Sequence, residues 1–205
     1  FGIGGERTGV LHNPKQWDGL TITRLPMGHA VSTTAIQVHS AMSAIGNGGI
    51  LMKPKFINRV FDRYGKTVTT FAPKPVRRVV KASVATSLTN MLVSVVSLEG
   101  TARQAIIKGY DVAGKTGTSQ KIVNGKYSRN HHVGSFVGFF PAEDPQINIT
   151  VVVDEPKMKR GLLGYGGVVA APAFKNVAKQ IISYLGIEPR KEEIVAKFSE
   201  RIKAI

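Results

Sequence analysis

The chain has 205 residues, the length of one domain or most of one, and its 42% hydrophobic share supports a packed core and excludes wholesale disorder. Cysteine is absent, which excludes disulfides, thiolate nucleophiles and cysteine metal sites. Lys and Arg number 28 against 13 Asp and Glu, a formal charge of +15 that favours anionic partners.

Residues 1–31 are glycine-rich and read as irregular, with turns at Asn13-Pro14 and Asp18-Gly19 and with Trp17 as a local packing anchor. From Thr34 the pattern turns helical: Val38, Ala41, Met42 and Ile45 follow i, i+3, i+4, i+7, and Gly48-Gly49 ends the run. Residues 50–61 and 67–72 read as a hairpin turning near Tyr64-Gly65, which Pro73 and Pro75 break off. The basic excess concentrates here, with nine Lys or Arg and only Asp62 as an acid between Lys53 and Lys81. Phe56, Phe61, Tyr64 and Phe71 are interleaved, as in a nucleic-acid binder. No DNA- or RNA-binding module accompanies the charge, however, and basic hairpin edges that resist aggregation account for it, so no nucleic-acid partner is expected.

A second helix is predicted with Ser83 as N-cap and Val84, Leu88, Met91 and Val95 as its buried stripe, stopping near Glu99-Gly100. Three strand candidates follow at 110–123, 132–140 and 147–153, separated by the turn dipeptides Asn124-Gly125 and Asp144-Pro145. Without helical periodicity between them, they should form an antiparallel meander. A long helix starts near Pro172, buries Phe174, Val177, Ala178, Ile181, Ile182 and Leu185, and ends at Gly186. Residues 190–204 read as a charged helix with Ile194, Phe198 and Ile202 on one side. The expected fold is α+β, an antiparallel sheet packed by helices, with residues 1–188 in the domain and 189–205 as a charged tail. No apolar run reaches membrane-spanning length, and a start at Phe1 without methionine reads as a segment of a longer protein.

The stretch GYDVAGKTGTSQ, Gly109 to Gln120, contains two overlapping motifs. From Gly109 it is G-x-x-x-x-G-K-T, the P-loop pattern, and ITVVVDE, Ile149 to Glu155, imitates the strand that would place Asp154 on magnesium. A P-loop needs a helix starting at Lys115-Thr116, so that its N-terminus faces phosphate. Gly117, Thr118 and a hairpin turn at Asn124-Gly125 do not make that helix. Read from Lys115, the stretch is Lys-Thr-Gly-Thr. On an edge strand, alternation sets Lys115 and Gly117 on one face and Thr116 and Thr118 on the other. Such a strand offers hydroxyls and backbone N–H groups to an extended peptide, glycine lets that peptide approach, and the ammonium attracts a carboxylate.

The segments DVAGKTGTSQKIVNGKYSRNHHVGSFVGFFPAEDPQINITVVVDEP, YGGVVAAPAFKNVAKQIISYLGIEP and MGHAVSTTAIQVHSAMSAIGNGGILMKP resemble the transpeptidase domain of class B penicillin-binding proteins. The resemblance covers nearly the whole chain apart from the charged tail. It implies a peptidoglycan D,D-transpeptidase working through a serine acyl-enzyme, without a cofactor. Lys115 is then a catalytic residue in the carboxylate-binding and proton network, while Thr116 and Thr118 bind the terminal carboxylate of a D-Ala-D-Ala stem peptide or a β-lactam. Gly117 keeps the strand approachable, and the Thr118 N–H supplies half of an oxyanion hole. The resemblance also implies cell-division or wall-assembly partners and a membrane-anchored, extracytoplasmic location.

The family's nucleophile motif, S-x-x-K, does not occur in the chain. The S-x-N triplet Ser128-Arg129-Asn130 follows Lys115, whereas the family places its own well before, so this one reads as decoration of the hairpin turn. The chain is therefore expected to hold the C-terminal part of the domain, to be inactive alone, and to need the N-terminal part as a partner. His29 and Thr34 stand where the family more often has tyrosine and proline. His131 and His132 form no metal pattern, and Asp154-Glu155 reads as a strand end. The alternatives are a non-catalytic interaction domain of the same fold and, less favoured, a P-loop nucleotide-binding protein.

Overall fold

The computed structural model describes residues 5–157 and 164–190. In chain order the elements are β1 (Val10–Leu11), α1 (Thr21–Arg24), β2 (Val31–Ser32), α2 (Ala35–Gly46), β3 (Ile50–Met52), β4 (Arg59–Phe61) and β5 (Thr67–Thr70). They continue with β6 (Pro75–Arg78), α3 (Ala82–Val95), β7 (Ala113–Val123), β8 (Lys126–Phe140), β9 (Ile147–Asp154), α4 (Gly166–Val169) and α5 (Ala171–Leu185). The expected charged helix falls on residues outside the described set, apart from Arg190.

β7, β8 and β9 form the antiparallel meander, in that order. Asn124 and Gly125 take φ values of 52° and 75°, the left-handed pair that a tight hairpin matched to strand twist requires. Register then sorts the side chains. Thr116 pairs with Phe136 and Phe136 with Val151, while Lys115 pairs with Val137 and Val137 with Thr150. The Phe136 face packs on α5, where Phe174 meets Phe136 edge-on at 4.8 Å and Phe140 at 6.1 Å. On the opposite face Ala113, Val137 and Phe139 pack against Met42 of α2 and Leu92 and Val93 of α3. The central sheet thus lies between two helical layers.

α2 begins with a capping box: the Gln37 N–H donates to the Thr34 hydroxyl, and the Thr34 N–H donates to the Gln37 side chain. Its buried side centres on Met42 and Ala44, whereas Val38 and Ala41 of the predicted stripe are exposed. Polar contacts fix it on β9. His39 Nδ1 lies 3.1 Å from Thr150 Oγ1, and Asn148 Nδ2 donates to His39 O and Ser43 Oγ at 2.9 and 2.7 Å. Burial holds the His39 imidazole below the ordinary histidine pKa.

Three expectations need correction. Ser83 lies inside α3, whose N-cap is Lys81, and the buried side carries Ala85 and Val96 with Leu88 and Leu92 partly buried, leaving Met91 66% exposed. Leu92 and Val93 are the α3 residues packed against the sheet residues Ala113, Val137 and Phe139, whereas Val84 and Met91 of the predicted stripe are exposed. Second, β3 pairs with β6, and β4 with β5 lies nested between them, so Pro75 opens a strand where a break was expected. Proline at a strand's first residue is tolerated because a two-stranded ribbon is all edge. Third, α5 starts at Ala171 with Pro172 in its first turn and ends at Gly186 at φ 63° as predicted, but Val177 and Leu185 are exposed.

After α5 the chain returns to the entry of β7. Tyr110 Oη donates to Ile187 O at 2.7 Å, the Arg190 N–H donates to Gly109 O at 2.9 Å, and the Arg190 guanidinium pairs with Asp111. At the opposite end of the sheet, Lys121 Nζ lies 3.0 Å from Asp154 and 2.8 Å from Glu155, and His131 Nδ1 lies 3.2 Å from the same Glu155 carboxylate. This cluster joins residues of β7 and β8 to the end of β9. Its hydrogen bond from Lys121 holds the Glu155 carboxyl below its ordinary pKa, and the same bond holds Lys121 above its own. A depressed carboxyl contributes stability above its unfolded-state pKa and loses it as pH falls through the lowered folded value. The lysine contributes below its unfolded-state value and loses it as pH rises through the raised one.

Phe174→Ala is expected to destabilise the protein by about 3–5 kcal/mol in urea unfolding, because it empties the junction of α5 with the sheet; Val177→Ala should change the midpoint little. Lys121→Ala should raise the Glu155 titration, followed by side-chain carbon NMR, toward the ordinary carboxyl range, with His131 still holding it down in part, and an unmoved titration would contradict the cluster.

Candidate functional site

Lys115 to Thr118 lie in the first half of β7, which pairs only with β8 among the described residues. Its outer backbone edge therefore has no strand partner there. Two glycines let the strand lie flat against its neighbours. A Cβ at Gly114 would sit 2.4 Å from Cζ of Phe136, and one at Gly117 would sit 2.4 Å from Oγ of Ser135. The aromatic core thus reaches under the strand at Gly114, while Ser135 lies close to the motif backbone.

Alternation places the four residues as predicted. Thr116 shares its face with Phe136, and Lys115 shares the opposite face with Val137. Lys115 is exposed and its Nζ donates to the Thr116 carbonyl at 2.8 Å. Thr116 Oγ1 lies 3.1 Å from Thr101 Oγ1, and Thr118 Oγ1 accepts from the Gly166 N–H at 3.1 Å. One ammonium and two hydroxyls, on a strand edge without a second strand partner among the described residues, form a donor-rich surface that fits an anion carried on an extended chain.

α4, which the sequence reading did not identify, backs this surface. A Cβ at Gly166 would fall 2.1 Å from Ser135 O and 2.4 Å from Gly117 O, and one at Gly167 would fall 2.1 Å from Thr101 O. Only glycine allows this turn to seat on two strands at once. Its one sequence signal is the Gly166-Gly167 pair after Tyr165. Thr101 and Ser135 carry no comparable signal, since their meeting with β7 depends on tertiary pairing.

The P-loop reading fails on geometry. β7 continues as strand from Ala113 to Val123, so no helix starts at Lys115, and Asp154 is engaged by Lys121. Gly109, at φ 86°, belongs to the turn that precedes the strand. Ser128-Arg129-Asn130 lies within the bounds of β8, where a loop was expected, at the point where the register with β7 shifts from Ile122–Tyr127 to Gln120–His132. Asp154 ends β9 as predicted, but with Glu155 it forms the ion cluster described above, which the sequence reading missed because Lys121 is 33 residues away. Trp17 is half-buried and its indole N–H donates to His12 O at 3.0 Å, consistent with a local anchor. Among the described residues no three His, Asp or Glu side chains form a group that could hold a metal ion.

Comparison with known proteins bears on the same residues. The penicillin-binding protein transpeptidase domain family matches residues 1–179. Stage V sporulation protein D of Bacillus subtilis is 40% identical over 95% of this chain, and the probable peptidoglycan D,D-transpeptidase PenA of Neisseria gonorrhoeae is 35% identical over 93%. The chain spans 30% of the length of each. The crystal structure of penicillin-binding protein 3 from Mycobacterium tuberculosis, complexed with ampicillin, superposes with a TM-score of 0.81 at 30% identity, covering 94% of this chain and 44% of that one. The match extends through the motif strand, the meander and most of α5, and the layered α+β arrangement is that of the solved domain. The chain belongs to the penicillin-binding protein transpeptidase domain family.

Proposed function

We propose that the chain forms the Lys-Thr-Gly-Thr wall of a serine-type peptidoglycan D,D-transpeptidase, with residues 1–188 in the C-terminal part of the domain and 189–205 as a charged tail. The observation that carries this reading is the placement of Lys115, Thr116, Gly117 and Thr118 on an open strand edge, with both hydroxyls on one face. The name of the Neisseria relative and the ampicillin bound to the Mycobacterium protein support the substrate class.

In this reading the stem peptide lies along the outer edge of β7. The Thr116 and Thr118 hydroxyls donate to its terminal carboxylate, and the Lys115 ammonium adds charge and joins the proton network of the nucleophile. A serine from the N-terminal part of the domain attacks the penultimate D-Ala carbonyl. The Thr118 N–H stabilises the developing oxyanion, and the terminal D-Ala leaves with the proton on its amine. An amine from a neighbouring stem peptide then takes the acyl group and restores the serine. A β-lactam enters by the same first step, but its leaving amine stays tethered. The substrate sets the location at the outer face of the cytoplasmic membrane, with an anchor elsewhere in the protein; no helix among the described residues is long and apolar enough to span a membrane. Wall-assembly and division proteins are the partners this role requires.

Lys115→Ala in the full-length protein should slow acylation by a fluorescent penicillin about a hundredfold or more. The isolated 205-residue chain, without S-x-x-K, should remain unlabelled. Labelling of the isolated chain, or an unchanged rate for Lys115→Ala, would contradict the reading.

A further inference from the structure

We propose that Thr101 and the backbone N–H of Gly166 are positioning groups that aim the hydroxyl protons of Thr116 and Thr118 at the bound carboxylate. This inference rests on the carboxylate role proposed above for the two threonines.

A hydroxyl has one proton and two lone pairs, whereas a carboxylate only accepts. A threonine on β7 can bind the anion through its hydroxyl only if its proton points outward. Left alone, that proton can rotate toward a nearby backbone carbonyl, as local threonine hydroxyls commonly do. A donor placed behind the oxygen occupies a lone pair and removes that alternative.

At Thr118 the assignment is unambiguous. An amide N–H can only donate, so Thr118 Oγ1 is the acceptor at 3.1 Å and its own proton is directed elsewhere. The donor sits where it does because Gly166 has no side chain; a Cβ would collide with Gly117 O and Ser135 O. At Thr116 the partner is the Thr101 hydroxyl at 3.1 Å, and either oxygen can donate. An anion on β7 selects one direction: Thr101 donates to Thr116, and Thr116 donates to the anion. Thr101 is firmly placed for this. The next residue, Ala102, is fully buried and its N–H donates to Val95 O at 3.0 Å, while the Thr101 carbonyl lies against Gly167. One element behind the strand thus serves each threonine.

The Thr101–Thr116 contact is solvent-exposed, so it contributes little to stability, and its loss should appear in ligand discrimination. The test measures second-order acylation rates of the full-length protein by a penicillin and by its carboxyl methyl ester, for wild type, Thr101→Val, Thr101→Ser and Thr116→Val. Thr101→Val is expected to slow the free acid about tenfold, to leave the ester rate and the melting temperature near wild type, and to be rescued by Thr101→Ser. The Thr101→Val/Thr116→Val pair should be no slower than Thr116→Val alone. If Thr116→Val slows the free acid but Thr101→Val does not, the positioning role is overturned while the carboxylate role stands. If acid and ester slow equally in Thr101→Val, its role is structural and the inference is also overturned. If Thr116→Val itself leaves the free-acid rate unchanged, the carboxylate reading falls and takes the inference with it.

Discussion

An edge strand is the least restrained strand of a sheet, because half of its backbone groups face away from any partner. In the carboxylate-binding role proposed for it, β7 must nevertheless hold Lys115, Thr116 and Thr118 in one fixed arrangement. The structure meets both demands by fixing the strand from every side but the outer one. β8 sets its register, the Phe136 ring passes beneath Gly114, and α4 seats on the backbone at Gly117. The Lys121 cluster ties down its far end, and the Arg190–Asp111 pair secures its entry. What remains open is one row of backbone groups and the donors beside it.

The helical layers have separate tasks in this arrangement. α5 and its phenylalanine junction form the dry core that keeps the meander from sliding, and a one-residue slip would exchange the faces of Lys115 and Thr116. α4 works at shorter range, bringing an amide to the Thr118 hydroxyl. α2 and α3 cover the first part of the opposite face, around Ala113, Val137 and Phe139. Beyond them Lys115 is exposed, and Val152, on the same face, is 48% exposed.

Much of this was legible in the sequence because it is local. Asn124-Gly125 permits only a tight hairpin, Gly186 can adopt the left-handed cap, and strand alternation alone separates Lys115 from Thr116. The capping role of Thr34 was also local, yet it became visible only with Gln37 three residues on. Other features depend on which surfaces meet. The apolar residues of α3 spread beyond one stripe, so only contact with the sheet could select Leu92 and Val93. Thr101 and Gly166 reach β7 across 15 and 48 residues, and no short pattern announces a hydroxyl or an amide as a support. The nesting of β4–β5 inside β3–β6 was hidden because Pro73, and Pro75 at the start of β6, resemble a stop, and β3 is only three residues long.

The central claim is that the outer edge of β7 receives the substrate carboxylate. It is tested most directly by a crystal structure of the full-length protein acylated by a β-lactam. The ligand carboxylate is expected within hydrogen-bonding distance of both Thr116 Oγ1 and Thr118 Oγ1, with the ligand carbonyl oxygen facing the Thr118 N–H. A carboxylate bound away from β7, or an acyl chain that leaves both threonine hydroxyls uncontacted, would contradict it.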